Sequence, residues 1–179
     1  MWRPIYEEIH PRFRWMRDYL LQVAPPGKLP GRQHLEPVIF KRLLPFINLV
    51  DVDAVDGGLR FRYRLVGTLQ TKIAGREITG LYLEDAVLPL FVERIRNNMT
   101  ACAEQREAIY DAFAMPHPDR DFIRTERVYY PLARDGEAVD MLLILNGYPD
   151  DEAQTGPLPP DLPDVSSVSQ PPETETPAR

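Results

Sequence analysis

The spacing of hydrophobic residues changes along the chain, and the changes mark the predicted elements. From Trp2 to about Val23, apolar side chains recur every three or four residues, which predicts an amphipathic helix. Pro11 lies within this pattern, and because proline disrupts a helix interior we expect a break near His10. A second short helix is predicted for "VIFKRLL" (38–44), because Pro37 stands near its start and Pro45 stops it.

Two strands joined by a hairpin are predicted next. "FINLVDVDA" (46–54) and "LRFRYRLVG" (59–67) flank "DGG" at 56–58, which has the composition of a hairpin turn. Side chains alternate between the two faces of a strand. The second strand should therefore have a dry face of Leu59, Phe61, Tyr63 and Leu65 and a wet face of Arg60, Arg62 and Arg64.

The second half of the chain predicts helices followed by three strands. "TLQTKIAG" (68–75) reads as a helical turn ended by Gly75, and a longer helix is predicted from Leu88 to about Arg106. Leu90, Phe91, Ile95, Met99 and Cys102 should share one side of it. "EAIYDAFAM", "FIRTERVYYPLAR" and "AVDMLLILNGY" then predict strands, the last two joined at Asp135-Gly136. This order implies an α+β fold with one antiparallel sheet covered on one side.

The order and several local motifs resemble the PAS domain, and more specifically the small stand-alone PAS-like proteins of alphaproteobacteria, whose function is not established. The matching motifs are "LPGRQHLEP" (29–37), "LLPFINLVDV" (43–52), "FRYRLVGT" (61–68), "GREITG" (75–80) and "ERVYYPLARDG" (126–136). The resemblance spans about Leu29 to Tyr148. It implies a five-stranded antiparallel sheet in the order 2-1-5-4-3, with helices across one face and an N-terminal flanking helix.

The resemblance also implies a function. PAS domains sense small ligands, mediate dimerisation, or do both, so we expect a sensory or regulatory module that acts through protein–protein interaction and binds a small ligand. No output domain is recognised in the 179 residues. The inward residues expected to line a ligand pocket are Phe61, Tyr63, Leu65, Ile73, Phe91, Ile95, Met99, Tyr130 and Leu143. The same apolar residues would also be needed simply to fold the domain. The ligand itself stays unknown.

Charge and composition divide the chain into three parts. Residues 150–179 carry seven acidic residues and one basic residue, a net charge of -6 that equals the charge of the whole chain. This segment is rich in proline and contains no aromatic residue, so we expect a disordered acidic tail. The predicted organisation is a helix over 1–26, a PAS-like domain over 27–149 and the tail over 150–179. The alternative function is a ligand-free adaptor or scaffold that acts through this tail or through the sheet face.

Several binding chemistries are disfavoured by the residues. Aromatic residues that bind nucleic acid face outward, whereas Phe61 and Tyr63 share the dry face, and residues 1–149 carry no net charge. No histidine lies on helix 88–106, which argues against the axial ligand of haem-binding PAS domains. Cys102 lies too late in the chain for the reactive cysteine of flavin photosensors and reads as a small buried hydrophobe.

Metal and catalytic chemistry have weak signals. His117 with Asp119 and Asp121 could ligate a metal, but "PHPDRD" has the residues of an ordinary surface turn, so no metal site is predicted. Gly-rich phosphate loops, nucleophile elbows and paired ligand motifs were not found, and we predict no enzyme activity.

The N-terminal helix bears on whether the chain is expected to bind a membrane or a second copy of itself. Its acidic and basic residues are mixed, which weakens attraction to anionic lipid, and no apolar run is long enough to span a membrane. Without a signal peptide and with a single cysteine, the chain is expected in the cytoplasm. The final strand is apolar on both faces and needs cover on both. We expect the helix to cover the free face, in cis or across a homodimer, and predict a dimer.

Overall fold

A computed structural model describes residues 9–117, 120–149 and 158–169 of the chain, without side-chain placement for 117, 120 and 121. The helices are α1 (Pro11–Val23), α2 (Thr68–Ala74), α3 (Leu83–Ala86) and α4 (Pro89–Gln105). The strands are β1 (Ile47–Val55), β2 (Gly58–Val66), β3 (Ile109–His117), β4 (Arg120–Leu132) and β5 (Met141–Gly147). Short 3-10 turns occur at Arg32–His34, Leu44–Phe46 and Val165–Ser167.

The five strands form one antiparallel sheet in the order β2-β1-β5-β4-β3. The turn at Gly57 and Gly58 joins β1 to β2, and both glycines have positive φ, a backbone state that side chains disfavour. The sheet order, the helices and the N-terminal helix together make the PAS fold, so the predicted fold class is confirmed.

A β-bulge in β2 breaks the alternation predicted for "LRFRYRLVG". Leu49 lies opposite Leu65, whereas Val50 lies opposite Tyr63, so Arg64 is an additional residue without an opposing partner. Phe61 and Tyr63 point to the dry face as predicted and are buried. Leu65 is turned to the other face and is 40% exposed. Its assignment to the dry face is therefore wrong, because one inserted residue reverses every later position.

Helices α2, α3 and α4 cover one face of the sheet, which we call the inner face. Its core contains Phe61, Tyr63, Tyr129, Leu142 and Ile144 from the strands, with Ile95, Met99 and Cys102 from α4. The helical spacing therefore identified the buried side of α4 correctly for these three residues. Leu90 is an exception at 78% exposure, because at about 100° per residue it lies about 140° around the helix from Ile95, whereas Met99 and Cys102 lie within about 40° of it.

Helix α1 covers the opposite face of its own sheet, which we call the outer face. The helix begins at Pro11, and the His10 ring Nδ1 accepts a hydrogen bond from the Arg12 amide at 3.1 Å, so the break expected near His10 is confirmed. Phe13 is fully buried among outer-face residues, and its carbonyl accepts a 2.7 Å hydrogen bond from the Tyr130 hydroxyl. Within this chain, the expected cover of the second face is therefore supplied in cis.

Residues 158–169 also lie on the outer face, against α1. The Trp15 indole donates to the Pro163 carbonyl at 3.0 Å, the Gln22 amide donates to the Val168 carbonyl at 3.1 Å, and Val168 is buried. The prediction of a disordered tail is wrong for these twelve residues. Leu158, Leu162, Val165 and Val168 recur every three or four positions and join the outer core, a pattern that the average composition of the tail conceals.

The second short helix is not formed. Residues 38–44 make turns in which the Ile39 amide donates to the Glu36 carbonyl and the Leu43 amide to the Phe40 carbonyl, each a three-residue step. Pro37 and Pro45 at the two ends of the segment donate no backbone hydrogen bond, and so short a segment is a marginal helix by itself. The apolar side chains Phe40 and Leu43 are nevertheless buried in the outer core.

Candidate ligand site

The inner face contains part of the predicted ligand pocket. Phe61, Tyr63, Ile95 and Met99 are buried together there, as the pocket prediction requires. Phe91 packs against the same core, with its ring centroid 4.8 Å from that of Phe113. These residues bring α4, β2 and β3 together around one region.

The remaining predicted pocket residues lie elsewhere. Tyr130 and Leu143 are buried in the outer core, on the α1 side of the sheet, so their assignment to a helix-side pocket is corrected. Their neighbours Tyr129 and Leu142 face inward instead. Leu65 is displaced by the bulge in β2. Ile73 is only half-buried on α2 and is not part of the inner core.

A group of buried polar side chains lies on the inner face, and the sequence prediction missed it. We call it the Arg127 cluster: Gln70 on α2, Asn98 on α4, Asp111 on β3, Arg127 and Tyr129 on β4, and Tyr148 directly after β5. Asn98 is half-buried and the other members are buried. A possible signal was the alternation of Arg127 with Tyr129 in "ERVYYPL", which places the arginine on an inward position once Tyr129 is known to be inward. The sequence prediction instead places Tyr130 inward, which puts Arg127 and Tyr129 on the outer face, and the arginine is missed.

Asp111 is the acidic group of this cluster, and its oxygens are already occupied. Arg94 binds it through Nε at 3.1 Å and 3.0 Å and through a second guanidinium nitrogen at 2.5 Å. The Asn98 amide donates to the second carboxylate oxygen at 2.8 Å. The hydrogen bonds that Arg94 donates to Asp111 raise the pKa of Arg94. Asp111 is therefore held as the partner of Arg94 and Asn98.

Arg127 is only 8% exposed and lacks comparable partners. Its guanidinium carbon lies 4.6 Å from the centre of the Phe113 ring, and one terminal nitrogen lies 3.9 Å from the Met115 sulfur. Among the described residues, Nε finds no hydrogen-bond partner. Burial acts to lower the pKa of Arg127, but the fields of nearby tyrosines and of Asp111 leave the pKa raised, so the group is a cation.

Two further donors in the cluster are buried without hydrogen bonds to the described residues: the Tyr129 hydroxyl and the Gln70 side-chain nitrogen. Asn98 and Arg127 lie near enough to act on the pKa of Tyr129, but neither reaches hydrogen-bond geometry with its hydroxyl. The Gln70 oxygen is occupied, because it accepts from the Tyr148 hydroxyl at 2.7 Å. Leaving a buried polar group unpaired costs about 1–3 kcal/mol, so three in one place demand a cause.

Tyr129 and Tyr148 of the cluster, and Tyr63 near them, are neutral at physiological pH. Burial raises the pKa of Tyr63, Tyr129 and Tyr148, and in each case this is the largest influence on the group. They can donate or accept hydrogen bonds, but they supply no negative charge to Arg127.

Cys102 lies beside the cluster on α4 and is fully buried. Its sulfur lies 3.4 Å from the Tyr129 carbonyl, to which it donates. Burial raises the pKa of the thiol, which keeps it protonated. The interpretation of Cys102 as a buried hydrophobe is confirmed.

The arginines of β2 lie at the opposite edge of the sheet and are engaged within the chain. The Arg60 guanidinium stacks 3.5 Å from the centre of the Tyr82 ring. Arg62 and Arg64 approach the Asp51 carboxylate at 3.1 Å and 3.5 Å. These side chains are exposed partners of their own domain.

His117, Asp119 and Asp121, weighed as metal ligands, lie outside the described side chains. Within the residues that are described, no group of three His, Cys, Asp or Glu side chains could hold a metal ion. In that same part of the chain, no helix has the length and apolar character needed to cross a membrane.

Comparison with known proteins gives a likeness in structure alone. No protein-family profile matches the chain, and no characterised protein is similar to it in sequence. VqmA bound to DPO is 12% identical, with a TM-score of 0.50, and the match covers 62% of this chain and 55% of VqmA. The chain thus spans about half the length of VqmA.

Two other solved structures are similar over PAS or LOV domains. The LOV protein of Rhodobacter sphaeroides is 9% identical, with a TM-score of 0.45, over 78% of this chain and 69% of its own. PAS-B of Drosophila melanogaster Cycle is 11% identical, with a TM-score of 0.42, over 57% of this chain and 98% of its own. At these identities the likeness concerns the fold and not the ligand.

Proposed function

We propose that this chain is a PAS-type sensory or regulatory module that binds a small ligand between the inner face of its sheet and helices α2 and α4. Ligand binding would alter its interaction with a protein partner, without catalysis by the chain itself. The observation that supports this proposal is the Arg127 cluster. Three of its donors are buried and unpaired among the described residues, at the place where the fold brings the sheet and the helices together.

The alternative function is an adaptor that acts through its tail or through the sheet face, and the sheet face is not open to a partner. The outer face of the sheet is covered by α1 and by residues 158–169, so a partner cannot dock there without displacing them. Action through the tail is left, and it concerns mainly residues outside the described ranges.

Self-association belongs to the proposal as well, with cytoplasmic location and no role in nucleic-acid binding. One solved structure is that of a Vibrio cholerae VqmA dimer, and another is that of a VqmA-ligand-DNA complex. For this chain, the engagement of Arg60, Arg62 and Arg64 with Tyr82 and Asp51 favours the absence of a nucleic-acid surface on β2. Sedimentation of the full chain tests the dimer, and a monomer at all concentrations would contradict it.

The experiment for ligand binding uses the full chain purified without added small molecules. Native mass spectrometry detects a bound molecule by its added mass, and thermal unfolding with a metabolite panel detects ligands that were lost during purification. A ligand at a hundred times its dissociation constant stabilises the folded state by about 2.7 kcal/mol, which is readily measured. We expect at least one compound to bind. Absence of bound mass together with no thermal shift across the panel would contradict the proposal.

A further inference from the structure

We propose that the ligand of the Arg127 cluster is a small organic carboxylate, whose negative charge pairs with the Arg127 guanidinium. This proposal deepens the function proposed above and rests on it. It starts from the balance of charge on the inner face.

The charges of the cluster and of Arg94, which binds it through Asp111, do not cancel. Arg94 and Arg127 are both cations, and Asp111 is the one acidic residue of the cluster. Its carboxylate oxygens are engaged by Arg94 and Asn98, and neither accepts a hydrogen bond from Arg127. Arg94 is also half in solvent, whereas Arg127 is buried. A positive charge is therefore held out of water without an anion bound to it.

A buried guanidinium without a hydrogen-bonded anion is costly. Asp111 faces Arg127 across the β3–β4 ladder and offsets part of this cost through its field, but its oxygens are hydrogen-bonded to Arg94 and Asn98. The face of the Phe113 ring offsets a small part of this cost through a cation–π contact with Arg127. The neutral tyrosines add dipoles but no charge. An anion from outside the chain would complete the site. A carboxylate fits an arginine best, because it is planar and its two oxygens accept two parallel hydrogen bonds from the guanidinium.

The other free donors are suited to the same group. The Gln70 amide nitrogen and the Tyr129 hydroxyl can each donate to an oxygen, and both are buried without partners among the described residues. Tyr129 belongs to the same inner-face core as the Tyr63 ring and the apolar side chains of Met99 and Ile144. A polar end with several donors inside an apolar surround favours a carboxylate on a hydrocarbon or aromatic body over a strongly hydrated inorganic ion.

The experiment compares acids with their neutral amides, using the dialysed full chain. The probes are formate, acetate and benzoate, each beside formamide, acetamide and benzamide, with inorganic phosphate as a separate anion. Each pair has nearly the same shape and differs in charge. Thermal unfolding and calorimetry are measured at constant ionic strength. We expect at least one acid to bind at least tenfold more tightly than its amide.

Variants connect the effect to the site. Arg127→Lys keeps the charge and should retain part of the preference for the acid, whereas Arg127→Met removes the charge and should abolish it. Arg134→Gln is the matched control, because its side chain is 84% exposed in the loop between β4 and β5. It should bind the acid like the unmodified chain. If Arg127→Met does not fold, the acid–amide comparison on the unmodified chain still decides the question.

A second readout is the stability of the ligand-free protein. If Arg127 has no bound anion in the ligand-free protein, the substitution Arg127→Met removes a buried, unpaired cation. The variant should therefore be at least as stable as the unmodified chain. A large loss of stability in Arg127→Met, together with equal binding of acids and amides, would mean that the arginine closes a structural network, and would overturn the proposal.

Failure of this proposal is distinguishable from failure of the proposed function. Binding of a neutral compound, or of phosphate alone, would overturn the carboxylate and leave ligand binding intact. Absence of any bound compound, in the acid series and in the metabolite panel alike, would overturn both.

Discussion

Replacing Phe13 by alanine tests whether α1 covers the sheet as the structure describes. The Phe13 ring is fully buried and lies so close to β5 that a side chain at Gly147 would stand 3.1 Å from its outermost carbon. Removal of a buried phenylalanine typically costs about 3–5 kcal/mol. Alanine is the better helix former by less than about 1 kcal/mol, which offsets little of this cost. The hydrogen bond from Tyr130 survives, because its acceptor is the backbone carbonyl.

Urea unfolding followed by circular dichroism measures the effect. For a slope of about 1–3 kcal/mol per molar urea, the loss moves the unfolding midpoint down by at least about 1 M. Leu21→Ala is the matched control, because Leu21 lies on the same helix with 54% of its surface exposed, and exposed substitutions change stability by about 0.5 kcal/mol or less. If Phe13→Ala shifts the midpoint no more than Leu21→Ala, α1 does not lie on the sheet as described.

Three further predictions test other parts of the molecule. Cys102 should resist thiol reagents in the native chain and react after urea unfolding, because burial keeps its pKa raised; rapid native labelling would contradict this. A chain ending at residue 157 should show red-shifted Trp15 fluorescence relative to one ending at 169, because the segment 158–169 shields the indole; identical spectra would mean that the segment is not docked. Burial also raises the pKa of Glu126, so folding stability should fall as pH rises from the ordinary glutamate value of about 4.3 through the raised folded value, and Glu126→Gln should remove that part of the slope. Equal slopes for both proteins across this window would refute the role of Glu126.

The topology could be predicted because local signals specify it. Gly57 and Gly58 adopt backbone states that suit a tight turn, Gly75 ends α2 with positive φ, and the β4–β5 connection carries Asp135-Gly136. These turns determine which strands are neighbours, and the antiparallel order follows from them. The resemblance supplied the remaining information on order.

The faces of the strands were harder to predict than their order. In β5 every residue from Met141 to Gly147 is buried, so the sequence offers no polar side from which to read the orientation. The assignment of Leu143 to the inner face is wrong for that reason. Residues 128–132 of β4 likewise carry no charged side chain, so the sequence gives Tyr130 no preferred face either. In β2 the bulge at Arg64 is invisible to a rule of strict alternation, and it alone misplaced Leu65.

The polar cluster was missed because a charged residue in a strand is ordinarily read as exposed. Arg127 departs from that rule, since its strand is central to a sheet covered on both faces. The other members of the cluster outside β4 come from four segments, and no pattern within one segment of the sequence could bring Gln70 to Tyr148. Sites built from many elements are identified by the fold and not by a motif.

The most direct test of the central claim is a crystal structure of the full chain, purified without added ligand and then soaked with the acid that binds most tightly. The account predicts electron density for the carboxylate within hydrogen-bond distance of Arg127 Nε, with the Gln70 amide or the Tyr129 hydroxyl as a second donor. Arg127 paired instead with an acceptor of its own chain, and no ligand density on the inner face, would contradict it.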